Sequence, residues 1–246
     1  MIKYLNQTSL DRNYLSLRPY TATPISADFS KLLVNKPWGS EYMIFSNPST
    51  EIWNLFIGYQ RATSMHCHPN KKTSLLVIEG RVLFSSLNES LELTTHDAVA
   101  IDPGTFHSTQ GISVGGARVL EFESPPMKHD LVRLEDRYGR TQEGYEGLEK
   151  MISDVNHARL PMTDYATPRT ICSNRMCIRQ IQSKADVKNA IRDSNGRIAV
   201  VIGGVIRSKM GELLYTATNP ISLGELSISE HTYEDTLIMF VGHAGL

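Results

Sequence analysis

Three histidines are the residues of this chain best suited to chemistry. His66 and His68 flank Cys67, and His107 follows the turn Asp102-Pro103-Gly104. Residues two apart in a strand project to the same face about 7 Å apart, so one ion can bridge His66 and His68 while Cys67 packs on the other side. The Pro-Gly turn would begin a strand that brings His107 into the same pocket. Because neutral imidazoles bind divalent metals, we predict zinc, manganese, nickel or iron on His66, His68 and His107.

Length and composition place these histidines in a globular chain. The 246 residues are 41% hydrophobic and carry a formal net charge of -1, enough to bury one large core or two modest ones. The balanced charge argues against a nucleic-acid partner, and the longest apolar runs are too short to span a membrane. We see no secretory signal. Cys67, Cys172 and Cys177 do not have the spacing of a disulfide framework, so we expect free thiols in a cytoplasmic protein.

Short strands must position the histidines. Apolar or alternating runs of four to eight residues end at Gly, Pro, Asn or Asp, which predicts strands at 52–59, 73–78, 81–87, 98–101 and 118–122. Residues 139–169 have weak periodicity and predict a linker with one helix over 145–155. Strand patterns resume at 177–181, 197–207, 212–215, 223–228 and 236–241, with a helix over 183–192 capped by Ser183. Such spacing predicts a sandwich or a barrel.

The surroundings of the histidines resemble the two cupin motifs. These are Gly58, His66-x-His68 and Gly80, followed by Pro103-Gly104-x-x-His107. The resemblance implies a small jelly-roll β-barrel with a metal at its centre. The first motif usually supplies a glutamate ligand before its closing glycine, but Thr73 holds that place here. A three-histidine site is the simplest outcome, and the alternative is that Glu121 or Glu123 enters from a neighbouring strand as a fourth ligand. Glu121 and Glu123 are two apart in one strand, so both should face the same side, which is either the barrel interior or solvent.

A closer resemblance covers residues 36–140. Lys36-Pro37-Trp38-Gly39 opens this region, and Arg133-Leu134-Glu135-Asp136-Arg137-Tyr138-Gly139-Arg140 closes it. Both are similar to the cupin domain of type II phosphomannose isomerases, which implies a sugar or sugar phosphate as substrate. The resemblance implies Glu121 or Glu123 as the base, with a pKa raised toward neutrality by burial, and Arg140 as a catalytic arginine. The expected substrate-binding residues are Lys71, Lys72, Thr73 and Arg133.

Structural interpretations of the same residues stay open. Lys71 and Lys72 also fit a solvated loop, and Trp38 also fits a core aromatic. The charged residues of the closing motif also fit an ion-pair network that holds the chain leaving the barrel; these are Arg133, Glu135, Asp136 and Arg140.

We predict an all-β, bicupin-like chain. Its parts are an N-terminal arm (1–35), a cupin barrel with the metal site (36–140), a linker (141–170) and a degenerate second cupin-like β unit (171–246). Exposed strand edges favour a homodimer. The predicted function is a metal-dependent sugar or sugar-phosphate isomerase or epimerase. The alternatives are a three-histidine Fe(II) dioxygenase and a non-catalytic sugar-binding or regulatory bicupin.

Overall fold

Strands dominate the computed structural model of this chain, which describes residues 1–18, 27–154, 156–161, 166–228 and 230–245. In chain order the strands are β1 Ile2–Leu5, β2 Leu32–Lys36, β3 Gly39–Ser46, β4 Glu51–Ile57, β5 Met65–Cys67, β6 Lys72–Glu79, β7 Arg81–Ser86, β8 Ser90–Thr94, β9 Ala98–Ile101, β10 His107–Gly111, β11 Ala117–Ser124, β12 Val132–Glu135, β13 Met151–Ser153, β14 Arg169–Ile171, β15 Asn174–Gln180, β16 Gly196–Ser208, β17 Leu213–Tyr215, β18 Pro220–Ser222 and β19 His231–His243. The helices are α1 Ser9–Ser16, α2 Lys184–Ser194 and α3 Leu223–Ile228. In the described ranges, none of these helices has the length and apolar character needed to cross a membrane.

Two facing sheets form the barrel of the first unit. Sheet A has the strand order β1-β9-β6-β11-β4-β3-β2-β13, and sheet B has the order β12-β5-β10-β7-β8. The alternation of β11 shows how the barrel is built. Val119 belongs to the core between the sheets and Glu121 lines the pocket there, while Leu120 and Phe122 are buried on the outer face of sheet A. The predicted jelly-roll barrel and its five strands are confirmed.

Glycine makes possible the tight turn between β6 and β7. Gly80 has a φ of +76°, and a Cβ at this position would lie 2.7 Å from the carbonyl oxygen of Gly116. Only glycine adopts this conformation without strain and also tolerates so close a backbone neighbour. The closing glycine of the first histidine motif therefore has a structural reason.

The second unit covers the outer face of the barrel. Sheet C has the order β14-β15-β19-β16-β17, with β18 paired to β16. One face of sheet C packs on the outer face of sheet A, where Met176, Val200 and Met239 join Leu120 and Phe122 in one core. Helices α2 and α3 cover its other face. The mostly-β prediction is confirmed for this unit. Its descent from a second cupin stays a prediction, because its described residues form one sheet with two helices and not two facing sheets.

Several element boundaries differ from those expected. The helix after Ser183 is confirmed as α2, with a capping box between Ser183 and Asp186. Residues 223–228 form helix α3 and not a strand, since Leu223 and Leu226 both pack into the core under the helices at helical spacing. The helix predicted over 145–155 is wrong: Leu148–Lys150 is a 3-10 turn and β13 pairs with β2 at the edge of sheet A. Position 155 lies outside the described residues.

The expected N-terminal arm is part of the barrel. Strand β1 pairs in parallel with β9, and β2 pairs with β3, so both lie within sheet A. The expected linker likewise supplies β13 and the buried Leu160. Parts of both segments, 19–26, 155 and 162–165, lie outside the described residues.

Candidate metal centre and charged pocket

Neighbouring strands of sheet B bring the three histidines together. His66 lies on β5 and His107 begins β10, and the two residues are directly opposite in the antiparallel register. His68 follows β5, and its carbonyl accepts a 2.8 Å hydrogen bond from the backbone N–H of Gly104, in the turn that leads to His107. The ring centroids of His66 and His107 are 4.5 Å apart, and the other two pairs are 5.0 and 5.4 Å apart. Cys67 points to the other side and packs against Phe106.

Backbone carbonyls fix the tautomer of each imidazole. The Nδ1 atoms of His66, His68 and His107 lie 2.8, 2.6 and 3.0 Å from the carbonyl oxygens of Ser64, Asp130 and Thr105. A carbonyl only accepts, so each neutral ring carries its proton on Nδ1 and keeps a lone pair on Nε2. This is the outer hydrogen bond that metal-binding histidines make in proteins.

Burial keeps the imidazoles neutral. All three side chains are buried. Burial, together with the neighbouring His107 and His68, lowers the pKa of His66 well below its usual value. Burial lowers the pKa of His107 to about 4. At neutral pH these two rings are therefore neutral, the form that binds metal.

The donor set fits a divalent ion. One ring nitrogen from each histidine lies within 4.8 Å of the other two, and the Nε2 atom of His68 is buried without a hydrogen-bond partner. A buried, unpaired acceptor costs free energy unless something binds it. His66, His68 and His107 would hold the ion, and three imidazoles suit zinc, nickel or iron.

Glu121 stands beside this group without joining it. Its Oε1 lies 3.8 Å from Nε2 of His68, too far for a hydrogen bond, and its Oε2 lies 3.3 Å from Nζ of Lys128. Burial would raise the pKa of Glu121, but the ammonium of Lys128, together with His68 and Lys71, outweighs burial and holds the pKa well below its usual value. The expectation of a pKa near neutrality for Glu121 is therefore wrong, because the sequence did not reveal Lys128 as its partner.

Thr73 occupies the position at which the first histidine motif usually has a glutamate, so no carboxylate is present there. It is buried on β6, opposite Glu123 of β11, and its hydroxyl has no hydrogen-bond partner. Glu121 is the carboxylate nearest His68, and it comes from β11 and not from β6. The carboxylate that the motif would place on β6 is thus supplied by the neighbouring strand β11.

Lys128 joins the carboxylates of the pocket into one network. Its ammonium lies 2.9 Å from Glu123, 3.3 Å from Glu121 and 3.3 Å from Glu41, and 3.9 Å from the centroid of the Trp53 ring. Burial alone would lower the pKa of Lys128, but these carboxylates raise it well above its usual value. Lys71 pairs with the other oxygen of Glu123 at 2.8 Å, without hydrogen-bond geometry. Both Glu121 and Glu123 thus face the interior, as one of the two alternatives predicted.

A second network forms around Glu146. This carboxylate is hydrogen-bonded to Lys36 and Arg140 and lies 3.6 Å from Arg133. Arg140 also makes two hydrogen bonds to the carboxylate of Asp136, at 2.7 and 3.2 Å. Burial would raise the pKa of Glu146, but Lys36 and Arg133 lower it. The ion-pair interpretation of the closing motif therefore fits Arg140 and Asp136, whereas Glu135 is exposed.

Most of the predicted site residues line one pocket of about 550 Å³, counting its open mouth. These are His66, His68, His107, Lys71, Glu121, Glu123, Arg133 and Arg140. Lys72, which was expected to bind substrate, does not line this pocket. Its side chain is 42% exposed and faces Asp102. Thr73 is buried but is also outside the pocket lining. Trp38 is a buried core residue that lines the pocket as well.

Sequence reasoning missed four charged residues of the pocket and one tyrosine. They are Lys36, Glu41, Lys128, Glu146 and Tyr145. Only Lys36 stood in a quoted motif. The other four had no local signal, since they meet their partners through the fold.

Comparisons with known proteins concern the fold. No protein-family model and no curated protein matches this sequence. Solved structures do. KdgF from a Halomonas species is 15% identical, with a TM-score of 0.35, over 37% of this chain and 82% of that one. A cupin-superfamily sugar phosphate isomerase from Silicibacter pomeroyi is 14% identical (TM-score 0.32; 35% of this chain, 58% of that one). An RmlC-like cupin from Shewanella frigidimarina is 16% identical (TM-score 0.35; 43% and 95%). By its own facing sheets and its interior histidines, the first unit of this chain has the cupin fold.

Proposed function

We propose that the barrel is a metal-dependent enzyme that isomerises or epimerises a sugar or sugar phosphate. The observation that carries this proposal is the position of the histidine group beside two buried carboxylates, Glu121 and Glu123, in one pocket. An aldose–ketose interconversion needs a group that takes a proton from one carbon and returns it to the next. When bound, a divalent ion at the histidines would supply a Lewis acid for the substrate oxygens.

The carboxylates have distinct surroundings. Glu123 contacts Lys71 and Lys128, whereas Glu121 contacts Lys128 and faces His68. Glu121 is ionised and close enough to the histidines to act on a group bound there. Glu123 is fully buried and is the candidate to move a proton to or from the substrate. Lys71 and Lys128 hold both carboxylates in place.

The charge of the pocket favours an anionic substrate. Five cations face five carboxylates in the two networks, so their charges already cancel; the cations are Lys36, Lys71, Lys128, Arg133 and Arg140, and the carboxylates are Glu41, Glu121, Glu123, Asp136 and Glu146. A divalent ion on three neutral imidazoles adds two positive charges in a buried site, where unbalanced charge is costly. A sugar phosphate would balance them.

Solvent exchange tests the proposal directly. The protein, loaded with zinc, manganese, nickel or iron, is incubated in D₂O with aldose and ketose phosphates and with free sugars. Proton NMR then follows the hydrogen on the carbon next to the carbonyl. We expect deuterium to enter that position, and we expect its loss in Glu123→Gln and His66→Ala but not in the remote His243→Ala.

The alternatives give different outcomes. Oxygen consumption by the iron-loaded protein without deuterium exchange would refute the isomerase and support the dioxygenase. Binding of sugars without exchange or oxygen consumption under any metal would leave the non-catalytic sugar-binding protein. The predicted homodimer stays a prediction that sedimentation can check.

A further inference from the structure

Three cations of the pocket converge on a single carboxylate. Glu146 receives hydrogen bonds from Lys36 and Arg140, and Nη2 of Arg133 lies 3.6 Å from its Oε1. The side chains of Lys36, Arg133, Arg140 and Glu146 are each no more than 10% exposed. All four line the pocket that contains the histidines. A cluster of this kind is a site for an anion, and here the protein's own carboxylate fills it.

Arg133 is underused in this arrangement. It is buried, and its Nη1 donates to the backbone carbonyls of Glu143 and Gly144. Its Nε is buried without a hydrogen-bond partner. A buried donor without a partner costs about 1–3 kcal/mol. The guanidinium presents a fork of donors that matches the oxygens of a phosphate or carboxylate, and this fork has no such partner within hydrogen-bond distance in the described structure.

Glu146 is carried by a short segment that contains no helix or strand. We call residues 141–147 the strap; it joins Arg140 to the 3-10 turn at Leu148–Lys150. A Cβ added at Gly144 would meet nothing within 4 Å, so the middle of the strap is open on that side. Tyr145 anchors the strap by donating to Glu41. Glu146 follows Tyr145 and is held by the three cations. These cations would attract an anion of higher charge more strongly than a single carboxylate.

The charges identify the class of anion. Lys36, Arg133 and Arg140 carry three positive charges, and Asp136 neutralises one of them through Arg140. Glu41 approaches Lys36 to 3.2 Å, but it is shared with Lys128 at 3.3 Å. Displacing Glu146 therefore leaves a local excess of about two positive charges on Lys36, Arg133 and Arg140, which matches a phosphate monoester, whose charge near pH 7 is about -1.5 to -2.

We infer that Lys36, Arg133 and Arg140 form a phosphate subsite, and that Glu146 is a tethered placeholder that the phosphate group of a ligand displaces. This inference deepens the proposed function and rests on it for the view that the pocket takes a phosphorylated ligand. In this inference the phosphate binds Lys36 and the two arginines. It does not bind Lys71, because Lys71 is already paired with Glu123.

Inorganic phosphate tests the subsite without metal and without turnover. Calorimetry and thermal melting measure phosphate binding to the full chain, with potassium chloride at equal ionic strength as the baseline. Glu146→Gln removes the competing carboxylate and should bind phosphate at least about 10-fold more tightly than the unsubstituted protein. Glu143→Gln changes the exposed glutamate of the same strap and should bind as the unsubstituted protein does. Adding Arg133→Gln to Glu146→Gln should abolish the gain.

Stability provides a second measurement if Glu146→Gln is poorly folded. Without its carboxylate the three cations repel, so this variant should melt at a lower temperature than Glu143→Gln, and phosphate should restore more of its melting temperature than chloride does. Glu146→Asp, which withdraws the carboxylate by one carbon, should bind phosphate with intermediate affinity. Equal phosphate affinity in the unsubstituted protein, Glu146→Gln and Glu146→Asp, or no rescue by phosphate, would overturn the subsite. A different outcome would be deuterium exchange into free sugars but not into sugar phosphates, together with tight phosphate binding by Glu146→Gln. This outcome would refute the phosphorylated substrate but support the phosphate subsite.

Discussion

The backbone carbonyl of Asp130 accepts a hydrogen bond from Nδ1 of His68 at 2.6 Å. The carboxylate of the same Asp130 accepts the backbone N–H groups of Asn70 and Lys71 at 2.8 and 3.0 Å. One buried residue thus sets both the orientation of a candidate metal-binding imidazole and the course of the loop after it. His68 and Asp130 are far apart in sequence, so the sequence shows no sign that they act together.

Asp130→Ala should weaken divalent-metal binding about 10–100-fold, the usual cost of losing an outer partner of a ligand. The carbonyl remains in this variant, but it is no longer fixed, because the carboxylate that ties it to the loop is gone. Competition with a chromophoric chelator measures the affinity. Asp193→Ala removes a surface ion pair with Arg179 and serves as the control. Equal affinities in the two variants would contradict the role of Asp130.

Asp11→Ala should lower the free energy of unfolding by about 1–3 kcal/mol. Asp11 is buried, completes the capping box of α1 with Thr8, and accepts the backbone N–H of Phe106 at 2.9 Å, next to His107. Asp28 caps the short helix at Phe29–Lys31 through Ser30 alone. Chemical denaturation should therefore find Asp28→Ala much milder, and a similar loss in both variants would argue that only the cap matters.

Lys128→Met should destabilise the fold by about 3–5 kcal/mol, because it leaves three buried carboxylates without their shared cation. The ammonium is almost fully buried between Glu41, Glu121 and Glu123. Lys209→Met changes an exposed lysine that pairs with Glu230 at the surface and should leave stability nearly unchanged. Denaturant unfolding of both variants measures the difference in the free energy of unfolding. Equal stability of Lys128→Met and Lys209→Met would show that the three carboxylates do not need the Lys128 ammonium.

Local spacing explains why the grouping of the three histidines could be predicted. His66 and His68 share a strand face, and His107 follows a Pro-Gly turn, so three candidate ligands were visible within two short motifs. The strands of the barrel followed from alternation of the same local kind. The inward orientation of Glu121 and Glu123 was one of two alternatives, and the fold decides it, because both side chains line the pocket between the sheets while Leu120 and Phe122 lie on the outer face.

The charged networks could not be predicted, because their partners meet only through the fold. Lys36 and Glu146 are separated by 110 residues, and Tyr145 and Glu41 by 104. The strand β13 shows the same limit. Residues 151–153 form a strand because β2 offers a free sheet edge, and nothing in their own composition predicts it. The pKa of Glu121 was misjudged for this reason too, since its direction depends on Lys128.

Gly80→Ala should be more damaging than Gly139→Ala, although both glycines have positive φ. Their φ angles are +76° and +82°. A Cβ at Gly80 would lie 2.7 Å from the backbone oxygen of Gly116, whereas a Cβ at Gly139 would meet nothing within 4 Å. Gly139→Ala should cost about 1–2 kcal/mol of strain, and Gly80→Ala should cost that and a backbone displacement in addition. Thermal unfolding of the two variants separates strain from collision, and equal melting temperatures would refute the collision.

The carboxylate of Asp154 makes a pH-dependent contribution to stability. Burial would raise its pKa, but hydrogen bonds from His157, Asn156 and Arg159 lower it from 3.8 to about 2. Arg159 in turn donates to the carbonyls of Leu32 and Met43, so this carboxylate ties the chain after β13 to β2 and β3. Because the folded-state pKa lies below the unfolded value, the stabilisation is complete above about pH 4 and is lost as the pH falls toward 2.

Denaturant titrations of the unsubstituted protein and of Asp154→Asn should therefore differ most between pH 5 and 7. The gap in unfolding free energy between the two proteins should narrow steadily below about pH 4, where the carboxylate of the unfolded chain takes up its proton. Glu230→Gln, which removes a carboxylate that is 64% exposed and pairs with Lys209 at the surface, provides the control. A gap for Asp154→Asn that stays constant from pH 7 to 3 would mean that the hydrogen bonds stabilise the fold without regard to the charge of Asp154.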